Sequence, residues 1–149
     1  MMSGKPLVLL VDDDDAHLLV SERALRRSNL GVDVQVARNG NEALTALGVG
    51  EDPIFQHFRM APAIVMLDLS MPGMSGWDVL RRIRAERQNV PVVVVSSSGR
   101  PDDVRRSYEM GANSYVVKRF EAERPGGYMV DAARYWVELN EPPSPAAAL

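Results

Sequence analysis

Five short apolar, β-prone runs, each followed by a stretch of helical periodicity, constrain the fold of this chain more than any other feature. They are Leu7-Val8-Leu9-Leu10-Val11, the alternating Val32-Asp33-Val34-Gln35-Val36, Ile64-Val65-Met66-Leu67, Pro91-Val92-Val93-Val94-Val95 and Ser114-Tyr115-Val116-Val117. Continuous apolar runs bounded by turn signals predict strands buried on both faces, whereas strict alternation predicts a half-exposed edge strand. Between and after them the spacing predicts helices over residues 16–28, 41–47, 76–87, 101–111 and 127–140, with Asp14 or Asp15 capping the first. Regular alternation of strand and helix predicts an α/β domain, a doubly wound five-stranded parallel sheet. An edge-like second strand fits the order 2-1-3-4-5, whose ligand crevice opens at the C-terminal ends of strands one and three.

The remaining composition narrows the chemistry. A chain of 149 residues, 46 % apolar and 25 % charged, suits one domain with a sizeable core. With a net charge of −3 and a pI near 5.4, a nucleic-acid surface is not the expected business. Cysteine is absent, which removes disulfides, thiolate metal sites and cysteine nucleophiles. Met1 to Pro6 lack the apolar region of a signal peptide, and no run approaches the ~18 apolar residues of a membrane span. The expected compartment is therefore the cytoplasm. Residues 48–62 read as a long, partly apolar loop holding Ile54, Phe55, Phe58 and Met60, suited to a binding role or to packing over the flank. Residues 1–140 form the expected domain, and 141–149 a Pro/Ala-rich extended tail.

The polar residues that end the buried runs form a set. Asp12 and Asp13 follow the first run, Asp68 the third, Ser96 the fourth and Lys118 the fifth. In the predicted order these strand ends are neighbours, so the side chains reach one pocket. Three gathered carboxylates repel one another unless a cation neutralises them. An all-oxygen set with no strand-end Cys or His favours a hard ion, Mg²⁺ or Mn²⁺. A lysine and a hydroxyl beside such an ion suit a phosphoryl group, and the chemistry that follows is attack by the Asp68 carboxylate on phosphorus. Singly, each of these residues reads better as a helix start, a turn, a polar loop or a surface charge. Four successive strand ends carrying acid pair, acid, hydroxyl and lysine outweigh that reading. His17 and His57 lie off the set and are expected to be structural or surface residues. Trp77 is large for an early helix position, and the sequence assigns it no partner.

Leu9-Leu10-Val11-Asp12-Asp13, Leu67-Asp68-Leu69-Ser70-Met71-Pro72-Gly73-Met74-Ser75-Gly76, Pro91 to Ser96, and Tyr115-Val116-Val117-Lys118 together resemble a two-component response regulator receiver domain, a flavodoxin-like (βα)5 fold. The resemblance spans about residues 5–140. It implies that Asp68 is the phosphoacceptor, served by a sensor histidine kinase. It also implies that Asp13, Asp68 and the Ser70 backbone carbonyl bind Mg²⁺ directly, with Asp12 acting largely through water. Ser96 and Lys118 would engage the phosphoryl oxygens, and Tyr115 matches the aromatic switch position. Such a protein is not an enzyme beyond slow self-dephosphorylation. Receivers usually carry proline after the lysine, where this chain has Arg119; a cis bond there would cost ~2.5–4 kcal/mol, so a trans peptide or another loop path is expected.

The loop at 48–62 and the aromatic segment Tyr128 to Asn140 are similar to single-domain regulators that partner bacterial phytochrome kinases. That similarity implies a homodimer through the C-terminal helix region, because Tyr128, Tyr135 and Leu139 exceed what covering the sheet requires. Too few residues follow for an effector domain, so output is expected by protein contact or by passing the phosphoryl group to a downstream phosphotransfer protein. Two other readings stay open. One is a haloacid-dehalogenase-type phosphatase, whose nucleophile motif Asp12-Asp13-Asp14-Asp15-Ala16 fits poorly; the other is a degenerate receiver acting only as an interaction module.

Overall fold

A computed structural model of the chain describes residues 4–52, 61–86 and 89–143. The strands are β1 (Leu7–Val11), β2 (Asp33–Ala37), β3 (Ile64–Leu67), β4 (Val92–Ser96) and β5 (Ser114–Val117). The helices are α1 (Asp15–Arg27), α2 (Gly40–Leu47), α3 (Gly76–Glu86), α4 (Pro101–Glu109) and α5 (Gly127–Arg134). All strands are parallel, in the order β2-β1-β3-β4-β5, so the expected doubly wound sheet is what forms. Residues 53–60, which hold Ile54, Phe55, His57, Phe58 and Met60, lie outside the described residues, as do 144–149 of the tail.

Side chains alternate across the sheet, and each face has its own helices. Leu9, Val11, Val65, Leu67, Val92 and Val94 pack against Ala43, Leu44 and Leu47 of α2 and Val79, Leu80 and Ile83 of α3. Val8, Leu10, Ile64, Met66, Val93 and Val95 face Leu18 and Leu25 of α1 with Tyr128, Met129 and Ala133 of α5. All four residues of β3 are buried, as its apolar run demands, while β2 at the edge is mostly half-exposed. α4 is held less firmly: of its residues only Ser107 is fully buried. Trp77 of α3 meets this helix, its indole N–H donating to Ser107 Oγ at 3.2 Å while the Arg106 guanidinium lies 4.0 Å from the ring centre. That supplies the partner the sequence left unassigned.

The last helix departs from expectation. The spacing predicts one continuous helix to residue 140, but the α-helix ends at Arg134 and a π-helical turn covers Tyr135–Leu139. Its signature is the Asn140 N–H donating to the Tyr135 carbonyl at 2.7 Å, a step of five residues. Within the wider turn Trp136 packs toward the sheet while Tyr135 meets it edge-on at 5.1 Å. Tyr135 and Leu139 remain 50 % and 73 % exposed.

Candidate functional site

The strand register brings the chemistry-bearing residues level. Val11 of β1 pairs with Leu67 of β3, so Asp12 and Asp68 leave the sheet side by side. Backbone pairing continues through them: Asp12 N–H donates to Ala37, Asp68 N–H to Val11 and Lys118 N–H to Ser96, at 2.7–3.1 Å. These side chains therefore spring from a rigid edge rather than from loops. Pro72-Gly73 turns the chain beyond Asp68, with Gly73 at φ +80°, where glycine carries no Cβ penalty. Gly76 then starts α3 against the site, and a Cβ there would overlap the Asp68 carbonyl oxygen.

Carboxylate oxygens of Asp12, Asp13 and Asp68 all lie within 4.8 Å of one another, Asp13 exposed and the other two buried. Lys118 reaches across from β5, its Nζ 2.9 Å from Asp12 Oδ2 and 3.6 Å from Asp68 Oδ2. Three carboxylates against one ammonium leave two negative charges, which a divalent cation would balance. The donors are all oxygen, the set hard cations prefer, so the residues fit Mg²⁺ or Mn²⁺.

Burial and the neighbouring Asp12 charge push the Asp68 carboxyl up to about 7, against the pull of Lys118 and of the Ser70 N–H. Burial alone would raise Asp12 as well, but hydrogen bonds from His17, the Asp14 N–H and Lys118 hold it below the usual carboxylate range. For Lys118, burial opposes the charge, yet its bond to Asp12 and the Asp68 carboxylate raise it above the ordinary lysine value.

Ser96 is buried at the end of β4 and accepts the Ser98 N–H at 3.1 Å. Tyr115 does not meet Ser96 directly. Its hydroxyl donates to the Ser98 carbonyl at 2.7 Å, and Ser98 Oγ bonds Asp103 in the first turn of α4 at 2.5 Å. The hydroxyl, the aromatic residue and the loosely held helix thus share one loop. Asp14, which a dehalogenase-type reading would need, instead caps α1 by accepting the Ala16 and His17 N–H groups.

His17 corrects the sequence reading, which set it off the site. Its Nδ1 lies 2.7 Å from Asp12 Oδ2, and its Nε2 lies 2.6 Å from the Tyr128 hydroxyl. The signal was available: helical side chains lean toward the N-terminus, so a residue in the first turn of α1 points back at the end of β1. Tyr128, read as surplus, is buried among the core side chains of that face. No cis peptide bond occurs among the described residues, so Lys118 reaches the acids across a trans bond to Arg119. Beside the site, His17, Val20, Arg119, Phe120 and Tyr128 line a groove of about 350 Å³, with Phe120 88 % exposed.

Residues 8–125 match the family model described as the response regulator receiver domain. The probable methanogenesis regulatory protein FilR2 of Methanothrix harundinacea is 35 % identical over 142 residues, covering 94 % of this chain and 89 % of that protein. Other curated relatives are longer, and the chain spans only 26 % to 45 % of those DNA-binding regulators. Among solved structures, the phosphorylated cyanobacterial phytochrome response regulator RcpA superposes with a TM-score of 0.80 at 28 % identity, covering 95 % of this chain and all of that one. The bacteriophytochrome response regulator AtBRR is 31 % identical with a TM-score of 0.70, covering 95 % and 98 %. Among the described residues no helix is long and apolar enough to cross a membrane. Fold, strand-end residues and family match agree: the chain belongs to the response regulator receiver family.

Proposed function

We propose that this chain is a single-domain cytoplasmic response regulator that accepts a phosphoryl group on Asp68 from a sensor histidine kinase, in a Mg²⁺-dependent reaction within phytochrome light signalling. The observation that carries this is the buried Asp68 carboxylate, set among the Asp12 and Asp13 oxygens and within 3.6 Å of Lys118.

Asp12, Asp13, Asp68 and the Ser70 carbonyl would hold Mg²⁺ or Mn²⁺, which when bound supplies positive charge against the phosphoryl oxygens. Asp68 Oδ attacks phosphorus; an O–P bond forms while the donor's P–N bond breaks, and the histidine nitrogen keeps the electron pair. Lys118 turns from Asp12 to the new phosphoryl oxygens, and the Ser96 hydroxyl donates to another. Ser98 follows Ser96, and the loop carries Tyr115 and the first turn of α4 with it. Return to the starting state is by slow hydrolysis of the acyl phosphate or by transfer to a phosphotransfer protein.

Support for a phytochrome kinase comes from RcpA and AtBRR, both similar over nearly the whole chain. Support for a homodimer comes from Tyr135 and Leu139, exposed on the last turn. The test is label transfer from an autophosphorylated bacteriophytochrome kinase. Label should move to the wild-type chain and stay on the kinase with Asp68→Asn. Transfer only from kinases of other input classes would remove the phytochrome assignment, which matters because FilR2 carries a methanogenesis name.

A further inference from the structure

Asp12 is held by more than its own pocket. Its Oδ1 accepts the Asp14 N–H at 2.9 Å, and its Oδ2 is shared between Lys118 at 2.9 Å and His17 at 2.7 Å. An ionised carboxylate only accepts, so His17 Nδ1 carries the donated proton, and Nε2 is left to accept the Tyr128 O–H at 2.6 Å. Burial raises the Tyr128 phenol above its ordinary value, against the pull of the Arg119 N–H, which keeps that donor protonated. Proline at position 119 would have no N–H to offer.

These contacts cross the molecule. His17 stands in the first turn of α1, and Tyr128 is the second residue of α5. The two helices meet closely at Gly126, where a Cβ would press on Ala24 and Val20 of α1. Tyr128 is fixed on its other side as well, its N–H donating to Glu121 Oε1 at 2.9 Å and the Arg119 guanidinium 5.8 Å from its ring. Beyond it α5 leads into the π-helical turn with Trp136 and the exposed Tyr135 and Leu139.

We propose that His17 and Tyr128 are positioning residues that join Asp12 to the last helix, forming an output route separate from Ser96, Ser98 and Tyr115. The proposal rests on the phosphoacceptor reading of Asp68. When Lys118 leaves Asp12 for a phosphoryl group, Oδ2 loses one of its two donors and rebalances on His17. His17 bonds directly to Tyr128, so the change reaches the start of α5 without passing through α4. The tight spacing of every link, 2.6 to 2.9 Å, leaves little slack to absorb a shift.

The chain has two tryptophans, so Trp77→Phe leaves Trp136 as the single indole reporter on the last helix. In that background, acetyl phosphate with Mg²⁺ should change Trp136 emission in proportion to the phosphorylated fraction read by intact mass. Tyr128→Phe should cut the emission change at least fivefold while Mg²⁺ affinity, measured calorimetrically with the metal alone, stays within twofold. His17→Asn places an amide N–H where Nδ1 was and should keep Mg²⁺ affinity within threefold yet lose the emission change. His17→Gln, which reaches toward Tyr128 but not Asp12, should lose both. Circular dichroism melts confirm that each variant is folded. Phosphorylation with a silent Trp136, or an emission change intact in Tyr128→Phe or His17→Asn, overturns the relay and leaves the phosphoacceptor reading standing. No mass gain at all overturns that reading and the relay with it.

Discussion

Lys118 Nζ sits 2.9 Å from Asp12 and 3.6 Å from Asp68, so the site's lysine pairs more closely with the acid ending β1 than with the one ending β3. Without a phosphoryl group, the ammonium partly fills the role of a cation among the carboxylates.

Lys118 and a divalent ion would therefore compete for these carboxylates. Lys118→Ala should bind Mg²⁺ more tightly, by about threefold to tenfold, because an opposing charge within ~4 Å is removed. Calorimetric titration checks this; unchanged or weaker binding would mean that Lys118 orders the acids rather than competing for them.

The Asp68 carboxyl, pushed up to about 7 by burial and by Asp12, ties stability to pH. A group with a raised native value binds its proton more tightly folded than unfolded. The metal-free protein should therefore lose stability as pH rises from about 4 through about 7, and level off above. Between pH 5.5 and 8 the melting temperature should fall less in Asp68→Asn than in wild type, and Mg²⁺ should stabilise wild type more at pH 8. Equal slopes in wild type and Asp68→Asn, read by thermal denaturation, would contradict this origin.

Gly76 lets α3 begin against the backbone of Asp68. Gly76→Ala must displace α3 or the Asp68 carbonyl, and should cost about 1–3 kcal/mol with a loss of Mg²⁺ affinity. Denaturant unfolding and titration measure the two effects; wild-type values for both would show that the contact is easily relieved.

Phe120 is exposed beside the groove at the site, so a protein phosphodonor docking there would meet it where a small one would not. Phe120→Asp should slow transfer from the kinase on the order of tenfold, the scale of losing an apolar anchor, and leave phosphorylation by acetyl phosphate unchanged. Equal slowing with both donors would place Phe120 in the chemistry instead of the docking.

Sheet order and strand-end residues were legible because both depend on local pattern. An apolar run ending in Asp68 states where the strand stops and what it presents, and the register does the rest. The bond from His17 to Tyr128 was not legible, because the partners lie 111 residues apart and meet only after α1 and α5 pack on the same face. The π-helical turn at Tyr135–Leu139 was hidden for a similar reason: its apolar spacing fits an ordinary helix, and tertiary packing decides. Ser98 carries no local signal of its own, being one serine of three, although it is the one that links Tyr115 to α4.

The most direct test of the central claim is intact-mass analysis after incubation with acetyl phosphate, with and without Mg²⁺. The expected result is a gain of one phosphoryl group that needs Mg²⁺, survives acid, is lost in base, and is absent from Asp68→Asn. A gain of the same size in Asp68→Asn, or none in the wild-type chain with Mg²⁺ present, would contradict the assignment of Asp68 as the phosphoacceptor.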